Sequence, residues 1–191
     1  MTLLEKYNKT TEKCTMIGDD VWCWIKRDGD AAEVGFQSTA TVRGVFIDIT
    51  FPKMIYKDEP EKWLVHRGFG KSFKTAIDSI AETLNGVKTL RVYGYSKGGA
   101  YAILMHEWAT FAGLDVRTFT FGAPAIIKRP SKAIKARFSN LYNISICGDW
   151  CTLIACLIGY SHVGQRVRLG NPRLDLWNNY HVKYLQYLAD L

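Results

Sequence analysis

Apolar positions along this chain recur at two spacings. Leu3, Leu4 and Tyr7 share one helical face, which predicts an N-terminal helix over residues 2–18. Two β-like runs follow, Glu33 to Val42 and Gly44 to Phe51 (GVFIDITF). Arg43-Gly44 between them predicts an antiparallel hairpin. Pro52, Pro60 and the charged YKDEPEK stretch mark a loop. Through residues 70–85, Phe73, Ile77, Ile80 and Leu84 return to helical spacing, and Asn85-Gly86 supplies a C-cap.

The second half alternates short apolar runs with helical ones. Lys88 to Tyr93 (KTLRVY) has the pattern of a buried strand, Gly94 to Gly99 that of a tight turn, and Ala100 to Ala112 that of a helix. Further strands are expected at Val116 to Phe121, Leu141 to Cys147 and Gln165 to Leu169, with a closing helix near Tyr180 to Ala189. Strands alternating with helices predict an α/β fold, a mostly parallel sheet with helices on both faces. There is no internal repeat, and the length of 191 residues suits one domain over residues 1–191.

Composition changes this picture little. It is 48% hydrophobic and 23% charged, which argues against disorder. The net charge of +7 favours anionic partners, including an anionic lipid surface. Most of the basic residues are scattered; a modest cluster comprises Lys128, Arg129, Lys132, Lys135 and Arg137, compatible with a solvated face. No nucleic-acid partner is expected, since no RNA- or DNA-binding motif accompanies the charge.

Five cysteines (Cys14, Cys23, Cys147, Cys151, Cys156) lack the paired spacing of a zinc site, so no metal is expected. Buried reduced thiols suggest a reducing compartment. MTLLEKYNKTTEK carries charge where an export signal needs an apolar core, and no run reaches the roughly 20 apolar residues of a membrane span. The expected location is cytoplasmic.

Candidate chemistry centres on Gly94-Tyr95-Ser96-Lys97-Gly98, a G-x-S-x-G pentapeptide with a strand running in and a helix running out. That context exposes a serine nucleophile on a strained turn, where a Cβ at position 94 or 98 would collide with neighbouring chain. The following helix points its first N–H groups at a developing oxyanion, and Lys97 N–H is the expected first donor. A serine nucleophile needs a base and an orienting acid. Such groups gather beyond the carboxyl ends of the strands. Asp149 directly follows a strand, whereas Asp115 precedes one and Asp175 lies in a polar loop with no strand before it. Among the four histidines, His106 lies roughly 15 Å down the helix from Ser96. His66 breaks the Ser-Asp-His chain order. His162 and His181 both satisfy it, and the residues alone leave them close, with a slight lead for His181.

Several motifs in order resemble the class 3 lipase family, the fungal-lipase-like α/β-hydrolases, from Gly44 to the C-terminal helix. Val65-His66-Arg67-Gly68-Phe69 is similar to the family's V-H-x-G-F, and Gly94 to Ala100 to its nucleophile elbow. Thr118 to Pro124 (TFTFGAP) resembles its T-F-G-A-P strand end, and Tyr160 to Gly164 (YSHVG) its aromatic-x-H-x-G segment. Asp149 matches the family's acid and His181 its late histidine. The resemblance implies a Ser96-Asp149-His181 triad, a structural His162, a structural His66, no cofactor, and an acyl-ester or lipid substrate. A phospholipase, an acyltransferase or an inactive binding module would share most of these motifs.

Three departures accompany the resemblance. The elbow has Tyr95 and Lys97 where the family commonly has His and Leu, and G-Y-S-x-G is also similar to cutinases. The family's F-R-G-S/T oxyanion segment is matched to Phe51-Pro52-Lys53-Met54, with Met54 N–H as second donor and Lys53 as a substitute charge. His66 comes only twelve positions after Met54, which implies a minimal lid. Trp150 to Tyr160 (WCTLIACLIGY) is almost wholly apolar and is expected as a loop bordering the acyl pocket, as core, or as a lipid-facing patch.

Overall fold

Seven strands form the central sheet, in the order β1-β2-β3-β6-β7-β9-β11. The computed structural model describes residues 1–38, 53–57, 63–170, 181 and 183–189, with 53–57 described as backbone. The chain opens with α1 (Leu3–Asn8), capped by Thr2 and Glu5 in a capping box, and a 3-10 turn (Lys9–Thr11). Strands β1 (Thr15–Ile17), β2 (Val21–Asp28) and β3 (Ala31–Phe36) follow, then β4 (Lys53–Lys57) and β5 (Trp63–His66). Next come α2 (Arg67–Thr83), β6 (Thr89–Tyr95), α3 (Lys97–Phe111), β7 (Asp115–Phe121), β8 (Ile127–Lys128) and α4 (Lys132–Ala136). The chain continues through β9 (Leu141–Ile146), α5 (Trp150–Leu157), β10 (Tyr160–Ser161), β11 (Gln165–Leu169) and α6 (Tyr184–Ala189).

Strands β3, β6, β7, β9 and β11 run parallel, and β1 and β2 add an antiparallel edge. A smaller antiparallel sheet, β10-β8-β5-β4, lies apart from it. Parallel strands must be covered on both faces because their crossovers are helical. Phe69, Phe73, Ala76 and Ile80 of α2 share one core with Val34, Leu90 and Val92. On the other face Tyr7 of α1 and Tyr184 and Leu188 of α6 pack with Phe121, Ile144 and Ile146. Helix α3 is buried almost all round, which is why its sequence (KGGAYAILMHEWATF) shows no polar face.

The N-terminal expectation is corrected. Residues 2–18 form a short helix and then turn into β1, because Gly18 and Asp20 adopt positive φ and reverse the chain into β2. The alternating VWCWIKRD of β2 was missed. The expected strand from Glu33 begins at Ala31 and ends by Phe36, pairing with β2 on one side and β6 on the other. Its expected hairpin partner, Gly44 to Phe51, lies outside the described residues. The apolar stretch after Asp149 is a helix and not a loop, since Asp149 caps it. Among the described residues no helix is long and apolar enough to cross a membrane, and no His, Cys, Asp or Glu group is arranged to hold a metal.

Candidate active site

Strand β6 delivers the chain to Ser96, whose backbone is held at φ 53°, ψ −121° before α3 begins. A serine in that region stores on the order of 1–3 kcal/mol of strain. Tight packing holds it there. A Cβ on Gly98 would lie 2.2 Å from Phe36 O and 2.7 Å from Phe36 C, so only glycine lets the elbow seat on the end of β3. Lys97, next after the serine, contributes the first N–H of α3, one of the donors no helix satisfies internally.

Ser96, Asp149 and His181 come together at the carboxyl ends of β6 and β9. His181 Nε2 is 2.7 Å from Ser96 Oγ, and His181 Nδ1 is 3.2 and 3.1 Å from Asp149 Oδ1 and Oδ2. All three side chains are buried. Asp149 is also the N-cap of α5: its Oδ1 accepts the Cys151 N–H at 2.9 Å, so a helix N-terminus faces the carboxylate. Its Oδ2 accepts a 2.8 Å hydrogen bond from the Tyr184 hydroxyl, which itself accepts the Ile146 N–H at 3.0 Å. Burial, then the charge of Asp149, pushes the Tyr184 phenol well above its ordinary range, so it stays a donor.

Tyr184 was missed in the sequence. The signal was present as a tyrosine three residues after His181, near the start of the final helix. Gly122 has its own geometric reason. At φ 57° a Cβ there would fall 3.1 Å from both Asp149 Oδ2 and His181 Cε1, so the glycine of TFTFGAP makes room for the acid–base pair. Tyr95, where the family commonly has histidine, stacks on the His181 ring (centroids 5.2 Å apart, 20° between planes) and donates to His181 O. Lys97 is buried and pairs with Asp20 in the β1–β2 turn, which ties that hairpin to the elbow.

The other histidines are engaged elsewhere. His162 Nε2 bonds Thr152 O at 2.7 Å, and burial lowers its pKa. His106 bridges Thr118 Oγ1 (2.8 Å) and Arg137 O (3.2 Å) through its two ring nitrogens, and burial lowers its pKa to about 4. His66 packs between Phe69 and Tyr160, and burial likewise brings it to about 4. Asp115 begins β7 at the opposite edge of the sheet, and Asp175 lies outside the described residues.

The Met54 expectation is corrected. Met54 lies in β4 of the smaller sheet, opposite Val65 of β5. His66 N–H donates to Ile126 O on the far side of β5, so strand alternation turns the Val65 backbone toward β4 and Met54 N–H toward β5. That N–H faces the ladder. The chain that abuts the elbow is the end of β3: Phe36 is in register with Gly94 of β6, and Phe36-Gln37 packs against Gly98. By place in the sheet, the segment opening at Phe36-Gln37-Ser38, and not Phe51 to Met54, continues from the strand that flanks the elbow. From there to V-H-x-G-F the chain runs through residues 39–64, most of which lie outside the described residues, as does the minimal-lid expectation.

A parallel sheet carrying a strained serine elbow, with histidine and aspartate at the neighbouring strand ends, defines the α/β-hydrolase fold. Within that class, the chain belongs to the class 3 lipase family, whose model matches residues 33–157. The match begins inside β3, upstream of the Gly44 start expected above, and ends before His162 and His181. Solved structures with the same fold include Lip2 lipase from Yarrowia lipolytica, with TM-score 0.65 and 21% identity over 82% of this chain and 64% of that one. A triacylglycerol lipase whose catalytic centre is formed by a serine protease triad has TM-score 0.64 and 19% identity, over 80% of this chain and 63% of that one. The Rhizomucor miehei lipase in its propeptide complex has TM-score 0.62 and 18% identity, over 90% and 67%. The chain thus spans under two thirds of the first two of these lipases. No curated protein matches.

Proposed function

We propose that this protein is a serine hydrolase of carboxylic esters. The observation that carries the reading is the unbroken hydrogen-bonded line from Ser96 through His181 to Asp149, mounted on a strained elbow. Ser96 Oγ attacks the acyl carbon while His181 Nε2 takes its proton, then returns it to the leaving alcohol. Water repeats the sequence on the acyl-enzyme. Asp149 fixes the imidazole with Nδ1 protonated and supports the imidazolium that forms. The oxyanion lies between the Lys97 N–H and the backbone that leaves β3 after Gln37. Gln37 N–H itself is bonded to Trp22 O, which supports a second donor downstream of it. On this reading the departure of Phe51 to Met54 from F-R-G-S/T does not argue for an inactive binding module. Family membership, together with the fold shared with triacylglycerol lipases, supports esters with apolar acyl chains as substrates.

A fluorophosphonate probe is expected to label the wild type once and Ser96→Ala not at all. A chromogenic-ester chain-length series run on both proteins is expected to lose all Ser96-dependent turnover in the variant. Equal labelling or turnover in the two would reject the reading. Running glycerophospholipids beside neutral glycerides in the same assay separates phospholipase from neutral-ester activity.

Tyr184 acts through Asp149 as a positioning residue. Tyr184→Phe removes a charge-assisted bond and leaves both a buried carboxylate oxygen and the Ile146 N–H short of a partner. Bonds of this class contribute about 1.5–3 kcal/mol. The expected result is roughly a tenfold fall in kcat at near-constant KM, with a lower urea midpoint. A lower midpoint with unchanged kcat would leave Tyr184 a purely structural role.

A further inference from the structure

Helix α5 presents an apolar ridge that the hydrolytic chemistry does not use. Its inner side, with Cys151 and Ala155, packs on Ala125 and Tyr160. Its outer side leaves Leu153 41%, Leu157 84% and, in the residue after the helix, Ile158 47% exposed. Single exposed leucines are ordinary, but three large aliphatics within six residues, on the helix that Asp149 caps, are not. The ridge begins about one turn from the triad and ends about two and a half turns from it, because α5 starts at the acid itself and the Trp150 ring is 6.1 Å from that of His181.

Cations surround the ridge. Lys128 Cε and Arg129 Nε come within 3.6 and 4.0 Å of the position a Cβ would take on Gly159, just past Ile158. Lys128 Nζ sits 5.4 Å over the Tyr160 ring. Burial pushes the Cys156 thiol of α5 up, and the charge of Arg166, exposed on β11, acts on it in the opposite direction, so that guanidinium lies within electrostatic reach of the helix. Acidic residues are missing from this part of the chain. From Val116 to Leu174 the sequence contains a single one, Asp149, which is buried in the triad.

We infer that the α5 ridge and its basic collar form a docking surface for an anionic lipid bilayer, with Leu153, Leu157 and Ile158 entering the acyl region and Lys128, Arg129 and Arg166 meeting headgroup phosphates. A second copy of the chain is a poor occupant. An isologous contact through this ridge would bring the two collars, of like charge, against each other. A bilayer supplies both an apolar interior and the opposite charge. The inference deepens the proposed function, since it sets the triad opening toward a lipid surface, but binding is measurable without turnover.

The test is co-sedimentation of the full chain with vesicles of ether-linked lipids, which contain no cleavable acyl ester. Phosphatidylcholine vesicles are compared with phosphatidylcholine–phosphatidylglycerol vesicles. Each cation near an anionic surface strengthens binding about fivefold, so the mixed vesicles are expected to bind at least tenfold more tightly and to release the protein as salt rises. Leu157→Ser is expected to weaken binding roughly tenfold by removing one buried aliphatic side chain. The pair Arg129→Gln and Arg166→Gln is expected to cut the preference for phosphatidylglycerol about 25-fold or to the phosphatidylcholine level. Hydrolysis of a short soluble ester is expected to stay at the wild-type rate in all of these variants.

Equal binding to the two vesicle types, or unchanged binding by Leu157→Ser, would overturn the inference. So would light scattering that shows a dimer split by Leu157→Ser without any vesicle binding. Vesicle binding in a protein that never turns over ester would count against the proposed function alone. Ester turnover without vesicle binding would count against the docking surface alone.

Discussion

His181→Ala is expected to lower ester turnover by a factor on the order of 10⁴–10⁶, while His162→Ala keeps most of it. The two histidines differ in what their nitrogens touch. His181 bridges Ser96 Oγ and the Asp149 carboxylate, so its loss leaves the serine without a proton acceptor. His162 donates from Nε2 to Thr152 O inside α5, and its loss removes a tie that steadies that helix. Steady-state kinetics on a soluble ester, with fluorophosphonate labelling as a second readout, distinguish them. Loss confined to His162→Ala would transfer the base to the other residue. Because α5 carries Asp149 at its cap, a several-fold decrease in His162→Ala is compatible with the assignment; a loss equal to that of His181→Ala is not.

The second large effect is expected from Gly98→Val. Its Cβ alone would meet Phe36 O at 2.2 Å and Gln37 C at 3.0 Å, and both contacts are backbone of a central strand end. No side-chain rotation relieves such a clash. Either β3 separates from the elbow or the elbow relaxes out of its strained turn. Overpacking of this kind typically costs about 1–3 kcal/mol and occasionally more, and here strand β3 is buried in the main core. The expected outcome is a markedly lower urea midpoint, together with activity reduced at least 100-fold in whatever protein folds. The kinetic loss follows because the β3 end and the Lys97 N–H would no longer converge on one oxyanion position. Wild-type kinetics in a folded Gly98→Val protein would show that the Phe36–Gln37 backbone has no part in the site.

Much of the site was legible because its chemistry is local. Ser96 declares itself through two flanking glycines, a strand before and a helix after, all within about twenty residues. Asp149 could be found by its place after an apolar strand. Tyr184 could have been found as well, since it lies three residues after His181, but its hydroxyl has meaning only once β9 and α6 are packed together. The missed strand β2 is a different case. VWCWIKRD carries a strand pattern, yet the short helix before it drew the helical reading onward across Gly18, whose positive φ ends it.

The oxyanion expectation shows what sequence reasoning could not separate and why. Phe51-Pro52-Lys53-Met54 and the chain after Phe36 both follow apolar, β-prone runs, and a motif of four loosely matched residues does not separate them. Strand order does. β3 is the parallel neighbour of β6, so its carboxyl end must emerge beside the elbow, whereas β4 belongs to another sheet.

The sequence by itself determined the α/β class and pointed to Ser96, Asp149 and two histidines in the Ser-Asp-His chain order. Those features depend on residue type and short-range spacing, which the chain displays directly. The tertiary structure alone decided two things: that Tyr184 and the α5 N-terminus hold Asp149, and that β3 rather than β4 flanks the elbow; it also brought His181, the histidine the resemblance implies, to Ser96. It also showed that the apolar stretch after Asp149 is a helix with a bare outer face beside a basic collar. Each of these depends on distances between residues far apart in the chain, and such distances are set by strand order and packing.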